Sequence, residues 1–217
     1  MSILISIPCG GGFVSEQTTV SLFNLAKLLV RSNIEHSILT VSNSSLITIC
    51  RSRIANFFIN NSKHEYLFFL DSDIGFNPND VIKLLDYNLN IVSGTYPMKT
   101  LPPRYCVNIK DPKNQKGDLI EIEGNGLGFC LIKREVFIKI AEHYPGLKYI
   151  PSDNCPDYPP SENEIKNSYH YFSEIKINDR FLSEDYSFFY RCKNLGYNVW
   201  LDTSIKLNHS GYHVYGE

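Results

Sequence analysis

The sequence predicts an α/β protein with a mostly parallel central sheet and helices on both faces of that sheet. The first observation is that strand patterns alternate with helix patterns over residues 1–100, which is the order found when helices connect parallel strands. The second is the run Tyr66-Leu67-Phe68-Phe69-Leu70, which is apolar at every position. Strands buried on both faces of a parallel sheet have this composition.

The elements of the first half follow from their patterns. Apolar runs predict strands at residues 3–7, 36–41, 66–70 and 90–96. Apolar residues at helical spacing predict helices at residues 16–31 and 44–60, and the apolar face of the first is formed by Leu22, Leu25, Leu29 and Val30. A third helix begins after Asn77, because Asn is a favoured N-cap residue and Pro78 suits the first turn. A turn over residues 8–12 joins the first strand to the first helix.

The second half is less regular. Its predicted strands lie at residues 104–109, 119–123, 128–132 and 197–201, and its predicted helices at residues 134–143 and 183–195. Residues 145–179 are rich in Pro, Asp, Asn, Ser and Tyr, so we predict a long irregular segment there. Loops of this length in a compact domain are usually functional lids or disordered segments. We expect residues 1–217 to form one domain.

The composition narrows the class of protein. With 217 residues and 43% hydrophobic content, the chain can bury one sizeable core. The net charge is -2, without the basic patch of a nucleic-acid-binding protein, and no apolar run has the length of a membrane span. Residues 1–8 lack the basic region of a signal peptide, and the six cysteines form no Cys-x-x-Cys pair. We therefore expect reduced thiols, a cytoplasmic location, no nucleic-acid partner and no membrane span.

Asp71 and Asp73 follow the buried strand directly. In open α/β sheets ligands bind in the crevice beyond the carboxyl ends of the strands. Two hard anionic side chains at that place suit a divalent cation that carries a phosphate ligand. The alternative is structural, because Asp after a strand often only forms an Asx-turn.

Two arginines precede the aspartates on the predicted second helix. Arg51 and Arg53 are two residues apart, so their side chains point to different faces and only one is expected to serve the cleft. A guanidinium binds phosphate through two parallel hydrogen bonds and keeps its charge. The other arginine is expected at the solvated surface.

Two groups of glycines allow alternative interpretations. Ser15 stands where the last glycine of a dinucleotide-binding motif belongs, so the glycines at residues 10–12 do not predict such a site. They either admit a nucleotide base or ribose to the backbone or form a tight turn. Gly126 and Gly128 indicate close approach of a ligand or another backbone, or a β-bulge.

Two further candidates lie near the end of the chain. Ser183 with Glu184 and Asp185 is an ordinary helix start, but one of the two carboxylates can act as a general base. Adjacent side chains are not expected to point inward together, and Asp185 is favoured. His209 is most simply a surface residue, but beside an aspartate pair its imidazole is a plausible metal ligand. Mixed carboxylate and imidazole donors suit Mn²⁺ somewhat better than Mg²⁺.

Together these pieces resemble a glycosyltransferase of the GT-A fold, close to the family 2 type. The matching motifs, in chain order, are the strand ending at Pro8, Cys50-Arg51-Ser52-Arg53, Leu70-Asp71-Ser72-Asp73 as the DxD motif, Gly126-Leu127-Gly128-Phe129, Glu184-Asp185 with Phe189, Arg191 and Gly196-Tyr197, and His209-Ser210-Gly211. The usual Arg-Asn pair of the arginine helix is here Arg53-Ile54. Small enzymes of this type also occur as domains of larger proteins, including those of large DNA viruses, which would place the protein in a host cytoplasm.

The resemblance implies a Rossmann-like sheet with a small mixed second sheet, a nucleotide-binding half over residues 1–100 and an acceptor-binding and catalytic half over residues 101–217. It implies transfer of a sugar from a nucleoside-diphosphate donor to a hydroxyl of a glycan or similar acceptor, with UDP-sugar favoured and GDP-sugar possible. Asp73 with Asp71 and His209 would hold the metal, and Asp185 would act as the base of an inverting reaction. Donor contacts would come from Pro8, Cys9, Arg51, Arg53, Asp71, Ser72 and Gly128. The alternatives are a sugar-phosphate nucleotidyltransferase and a non-catalytic sugar- or nucleotide-binding module.

Overall fold

A nine-stranded mixed sheet lies at the centre of the protein, with helices on both of its faces. The computed structural model describes residues 1–42, 44–111, 114–151 and 160–211. The helices are α1 Glu16–Arg31, α2 Ile47–Asn61, α3 Pro78–Asp86, α4 Arg134–His143, α5 Glu162–Lys166 and α6 Glu184–Asn194, with a 3-10 turn at Pro145–Leu147. The strands are β1 Ser2–Cys9, β2 Glu35–Ser42, β3 Tyr66–Leu70, β4 Ile74–Gly75, β5 Ile91–Ser93, β6 Val107–Ile109, β7 Gln115–Lys116, β8 Leu119–Asn125, β9 Phe129–Lys133, β10 Lys148–Tyr149, β11 Ser168–Tyr169, β12 Ile175–Ile177, β13 Arg180–Leu182, β14 Val199–Asp202 and β15 Asn208–His209.

The strand order is β2-β1-β3-β9-β5-β14-β8-β6, and β7 pairs with β8. Pairing is parallel across β2, β1 and β3 and between β5 and β14. However, β9 lies antiparallel between β3 and β5, and β8 is antiparallel to β14 and β6. The predicted α/β class is confirmed, but the sheet is mixed, because a strand from the second half of the chain inserts between two strands of the first half.

The predicted small mixed second sheet is not found as a separate unit among the described residues. Instead, β6, β7 and β8 continue the main sheet. The separate sheets are short, two-stranded pairs: β10 with β11, β12 with β13, and β4 with β15. The last pair matters for the site because it brings the end of the chain beside the turn that follows β3.

Two apolar layers cover the two faces of the sheet. One contains Leu25 and Leu29 of α1 and Val81, Leu84 and Leu85 of α3, and the other contains residues of α2, α4 and α6, including Phe58, Phe137 and Phe188. Along β3 the side chains alternate between these layers, and all five are at most 1% exposed. The prediction that β3 is buried on both faces is confirmed. The strand therefore holds its carboxyl end rigidly.

Local signals explain most element boundaries. Helix α1 spans the predicted residues, and its N-cap Ser15 accepts a hydrogen bond from the Thr18 amide at 3.2 Å. The predicted apolar face of α1 is wrong at Val30, which is 68% exposed because it lies one helical position, about 100°, beyond Leu29. Asn77 caps α3 as predicted. Ser183 occupies the N-cap position of α6, but its side chain makes no capping hydrogen bond.

The predicted turn at residues 8–12 begins later than expected, because β1 continues through Pro8 and Cys9. β1 pairs with β3 only as far as Ser6, so the missing amide of Pro8 is tolerated where one side of the strand has no partner. The turn itself is closed by the Gly12 amide, which donates to the Cys9 carbonyl at 2.9 Å, and Gly12 adopts a φ of 73°. The tight-turn interpretation of these glycines therefore fits at Gly12.

The prediction of an irregular segment over residues 145–179 is wrong for its described part. Ser161 and Glu164 form a reciprocal capping box at the start of α5. The side chain of Asn56 on α2 bonds both backbone groups of Tyr169, at 3.1 and 2.9 Å. Tyr171 and Phe172 lie in the core. The aromatic residues of a segment whose composition is typical of loops thus pack under α2. Residues 152–159, including Cys155, lie outside the described residues.

In the described part of the chain, no helix combines the length and the apolar character that crossing a bilayer requires.

Candidate active site

Asp71 lies at the carboxyl end of β3, and its groups bond neighbours from several elements. Its amide donates to the Gly128 carbonyl at 2.9 Å. Its carboxylate accepts hydrogen bonds from Arg51 Nη2 at 3.1 Å on Oδ1 and from the Tyr96 hydroxyl at 3.4 Å on Oδ2. Both oxygens are therefore bonded to other elements of the fold, unlike an Asx-turn, in which the side chain bonds its own neighbouring backbone.

Arg51 joins Asp71 to the start of α6. The residue is 3% exposed, and its Nη1 donates to Glu184 Oε1 at 3.0 Å and to Asp185 Oδ1. Burial alone would lower the pKa of Arg51, but Asp185 and Asp71 raise it above its usual value, so the guanidinium stays charged. The expectation that Glu184 and Asp185 do not point inward together is wrong, because one guanidinium nitrogen carries two N–H groups and serves both carboxylates.

The environment of Asp185 suits proton transfer. Burial raises the pKa of this carboxyl to about 7, and the nearby carboxylates of Glu184 and Asp71 add to the rise. Arg51 and a backbone hydrogen bond from Leu127 act in the opposite direction. A general base works best when its pKa lies near the working pH. Asp185 therefore has the electrostatic setting of a base that becomes ionised near neutrality.

Asp73 lies in the turn after β3, which the Ile74 amide closes by donating to the Asp71 carbonyl at 3.3 Å. Its Oδ2 is 2.5 Å from Lys99 Nζ and 3.3 Å from His209 Nε2. Burial would raise the pKa of Asp73, but hydrogen bonds with His209 and Lys99 outweigh it, and the net pKa is lowered. Asp73 is thus an ionised carboxylate, 31% exposed, that faces an imidazole nitrogen.

The β4–β15 pair delivers His209 to this carboxylate. His209 stands opposite Ile74 in the pair, and the Ser210 amide donates to the Asp73 carbonyl at 2.7 Å. His209 Nδ1 lies 2.8 Å from the Pro97 carbonyl, which can only accept, so we assign the proton to Nδ1. Nε2 faces Asp73 Oδ2, so it can donate a second ring proton to this oxygen or, without that proton, offer a lone pair to a cation. A backbone carbonyl on the far ring nitrogen is the usual support of a metal-binding histidine.

The donor set fits a cation that also carries substrate phosphates. A proton on His209 Nε2 joins it to Asp73 Oδ2 in a hydrogen bond, and a metal cation bound by both atoms would replace that proton. Within the described ranges, no group of three or more His, Cys, Asp or Glu side chains poised to hold a metal is found. Ions of the Mg²⁺ type often use only one or two protein carboxylates and complete their shell with phosphate and water. Asp73 and His209 can supply such a partial shell, whereas the oxygens of Asp71 already bond Arg51 and Tyr96.

Gly126 and Gly128 make room for side chains of the site. A Cβ on Gly128 would lie 2.4 Å from Asp71 Oδ2, and a Cβ on Gly126 would lie 2.3 Å from the Tyr96 hydroxyl. The Gly128 amide also donates to the Tyr96 hydroxyl at 3.1 Å. The close approach at these glycines is therefore made by the side chains of Tyr96 and Asp71, not by another backbone, which the sequence led us to expect as one possibility.

The remaining predicted donor residues lie beside this cluster. Cys9 at the end of β1 is 4% exposed; burial raises the pKa of its thiol, and a hydrogen bond with Ser72 opposes the rise. The Ser72 carbonyl accepts from the Ser15 amide at 2.8 Å, which ties the aspartate turn to α1. Pro8 is buried next to Cys9. Arg53, two residues beyond the site-facing Arg51, is half-buried, so the expectation of a solvated surface arginine is wrong for it. Residues 212–217, which follow the terminal motif His209-Ser210-Gly211, lie outside the described residues.

Tyr96 and Lys99 were not predicted from the sequence. Both follow β5, whose carboxyl end lies in the same sheet as that of β3. The strand predicted over residues 90–96 is too long, because β5 ends at Ser93, so Tyr96 and Lys99 lie beyond the strand and not within or directly after it. The sequence indicated Glu184 as the alternative to Asp185, but it did not predict that both carboxylates bond Arg51. Arg191, part of the matched motif, instead bonds the carbonyls of Tyr171 and Ser173 at 3.2 and 2.8 Å and is structural.

Comparisons with known proteins support the fold. No protein-family model matches the chain, and no curated protein matches it. Among solved structures, the chain is similar to A197 from STIV, with a TM-score of 0.57 and 25% identity over 97% of this chain and 86% of that one. A 4-diphosphocytidyl-2C-methyl-D-erythritolsynthase from Anaerococcus prevotii DSM 20548 gives a TM-score of 0.38 and 11% identity over 70% of this chain and 78% of that one. This score is too low to indicate a shared fold. The likeness to A197 extends over nearly the whole chain, and the α/β architecture is compatible with a Rossmann-like fold.

Proposed function

We propose that this protein is a metal-dependent glycosyltransferase that moves a sugar from a nucleoside-diphosphate donor to a hydroxyl of a glycan or similar acceptor. The observation that carries the proposal is the meeting of two kinds of group at the end of β3. One is the Asp73–His209 pair, and the other is the cluster in which Arg51 links Asp71 to Asp185. A UDP-sugar is the favoured donor, and a GDP-sugar is possible.

The first group would hold the metal. Asp73 is ionised and lies 3.3 Å from His209 Nε2, so a divalent cation, with Mn²⁺ favoured over Mg²⁺, could bind the carboxylate and take the place of the proton on Nε2. When bound, such an ion supplies charge neutralisation for the departing diphosphate. Asp71, held by Arg51 and Tyr96, is placed to receive the donor ribose or to assist the metal.

The second group would activate the acceptor. Asp185 lies in the first turn of α6 and can accept the proton of an acceptor hydroxyl once it is ionised. Arg51 favours the ionised form and fixes the carboxylate, while burial keeps the base from being too weak. A base opposite the leaving diphosphate gives inversion at the anomeric carbon. We assign Glu184, which shares Arg51, to holding this geometry.

A thermal-shift panel tests the proposal. UDP-, GDP- and thymidine-diphosphate sugars are added with and without MnCl₂ to the parent, to Asp73→Asn, and to Asp179→Asn as a matched control in a surface ion pair. Ligand at 100 times its Kd stabilises by about 2.7 kcal/mol, or roughly 5–10 °C for a chain of this size. We expect a Mn²⁺-dependent shift from one base class in the parent and in Asp179→Asn, and its loss in Asp73→Asn. Equal shifts with and without Mn²⁺, or an unaltered shift in Asp73→Asn, would contradict the proposal.

A further inference from the structure

Lys99 occupies the place next to Asp73 that a bound cation would need. Its ammonium is 2.5 Å from Asp73 Oδ2, the same oxygen that His209 Nε2 approaches to 3.3 Å. The side chains of Lys99 and Asp73 are 43% and 31% exposed. An ion pair this exposed contributes little stability, so a stronger cation can displace the ammonium.

The segment that carries Lys99 also orients the imidazole. Pro97 bridges Tyr105 in an antiparallel manner, and the Met98 amide donates to the Arg104 carbonyl at 2.6 Å, so residues 97–105 close on themselves. The Pro97 carbonyl bonds His209 Nδ1. One short segment therefore contacts both residues of the proposed metal site. The Pro97 carbonyl orients His209, and the Lys99 ammonium, two residues later, contacts the Asp73 carboxylate.

The contacts of the two cations indicate that Lys99, and not Arg51, is the one that can move to a bound phosphate. Arg51 and Lys99 both contact carboxylates of the site. Arg51 is 3% exposed and bonds three partly buried carboxylates, so its departure would leave three charges without their counter-ion. Lys99 leaves a single, partly exposed partner, and a lysine ammonium is an effective point charge for phosphate.

We propose that Lys99 is a diphosphate-binding residue that rests on Asp73 when no metal is bound and moves to the donor diphosphate when a metal takes its place. The inference rests on the proposed function and adds a residue to its donor site. It also couples the two ligands: a cation must displace Lys99 before binding Asp73, and the displaced ammonium then strengthens diphosphate binding. Each ligand, metal or diphosphate, therefore raises the affinity for the other by more than their direct contact alone would.

Direct binding measurements on Lys99→Met test the proposal without any turnover. Methionine is an unbranched side chain only one heavy atom shorter than lysine, and it removes the charge. Lys176→Met, which loses a surface ion pair with Asp179, is the matched control. Mn²⁺ binding is measured by electron paramagnetic resonance of the free ion, and pyrophosphate binding by calorimetry at saturating Mn²⁺, so that the result does not depend on the nucleotide base.

We expect Lys99→Met to bind Mn²⁺ alone about fivefold more tightly than the parent, the factor set by one exposed ion pair. Pyrophosphate binding should weaken about tenfold, because a charge-assisted contact is lost. Lys99→Arg should restore the parental values in both assays. Either effect without the other, or the same constants in Lys99→Met and the parent, overturns the role of Lys99 alone. Absence of Mn²⁺ binding in every protein overturns the proposed function and this inference with it.

Discussion

Replacing Gly128 with alanine should disturb the site while sparing the rest of the fold. The added Cβ would lie 2.4 Å from Asp71 Oδ2, 2.7 Å from Asp71 Cγ and 2.7 Å from the Tyr96 hydroxyl. Real Cβ atoms essentially never approach closer than 3.0 Å, so both side chains must withdraw. Asp71 cannot withdraw freely, since Arg51 holds its other oxygen at 3.1 Å.

The cost can be estimated from overpacking in well-packed sites, which destabilises by about 1–3 kcal/mol. For a chain of this size that corresponds to a decrease in Tm of roughly 2–12 °C. Displacement of Asp71 should also weaken Mn²⁺-dependent nucleotide binding by about tenfold, the effect of one lost charge-assisted hydrogen bond.

Gly146→Ala is the matched control, because nothing lies within 4 Å of the Cβ it would add. Scanning calorimetry gives the two Tm values, and titration calorimetry with uridine diphosphate and Mn²⁺ gives the two affinities. If Gly128→Ala and Gly146→Ala behave alike in both measurements, the close packing of Gly128 against Asp71 and Tyr96 is not what shapes this site.

Four other predictions rest on the same contacts. Asp185→Asn should lower kcat by at least about 100-fold with donor affinity retained, and comparable loss of both would count against a base. In the parent, kcat/KM should rise with pH and reach half its maximum near pH 7, where Asp185 becomes ionised. The raised pKa also means that the folded state binds this proton more tightly than the unfolded state. The Asp185 carboxyl should therefore lower the free energy of unfolding as the pH rises from about 4 through 7. His209→Ala should raise the Kd for Mn²⁺ roughly 10- to 100-fold, and an unchanged Kd would remove it from the metal shell. Arg51→Met should cost about 3–5 kcal/mol in urea unfolding, because three partly buried carboxylates lose their counter-ion; a loss below about 1 kcal/mol would contradict that role.

Local patterns predicted the local structure well. The apolar run at residues 66–70, the helix over residues 16–31 and the Asn77 cap all depend on neighbours in the chain, and each is found where expected. The position of β9 could not be predicted in this way, because its insertion between β3 and β5 depends on pairing between distant parts of the chain. The burial of Tyr171 and Phe172 was missed for a related reason. Their neighbours in the sequence are mostly polar, so the local pattern predicted a loop, whereas both residues pack under α2.

The candidate site was predicted in part. The position of Asp71 and Asp73 after a buried strand follows from topology, and the structure does bring His209 to Asp73 across the sequence. The contact of Arg51 with both Glu184 and Asp185 depends on the reach of a guanidinium, which spacing along a helix does not reveal. Tyr96 and Lys99 follow a strand whose register with β9 was unknown from sequence, so their convergence on Asp71 and Asp73 became visible only in the fold.

The central claim is that Asp73 and His209 hold a cation that binds a nucleoside diphosphate. Crystals grown with MnCl₂ and uridine diphosphate, measured at a wavelength where manganese scatters anomalously, test it most directly. The account predicts one anomalous peak in contact with the Asp73 carboxylate, His209 Nε2 and the diphosphate. Nucleotide bound with no peak at these two residues, or a peak only elsewhere on the chain, would contradict it.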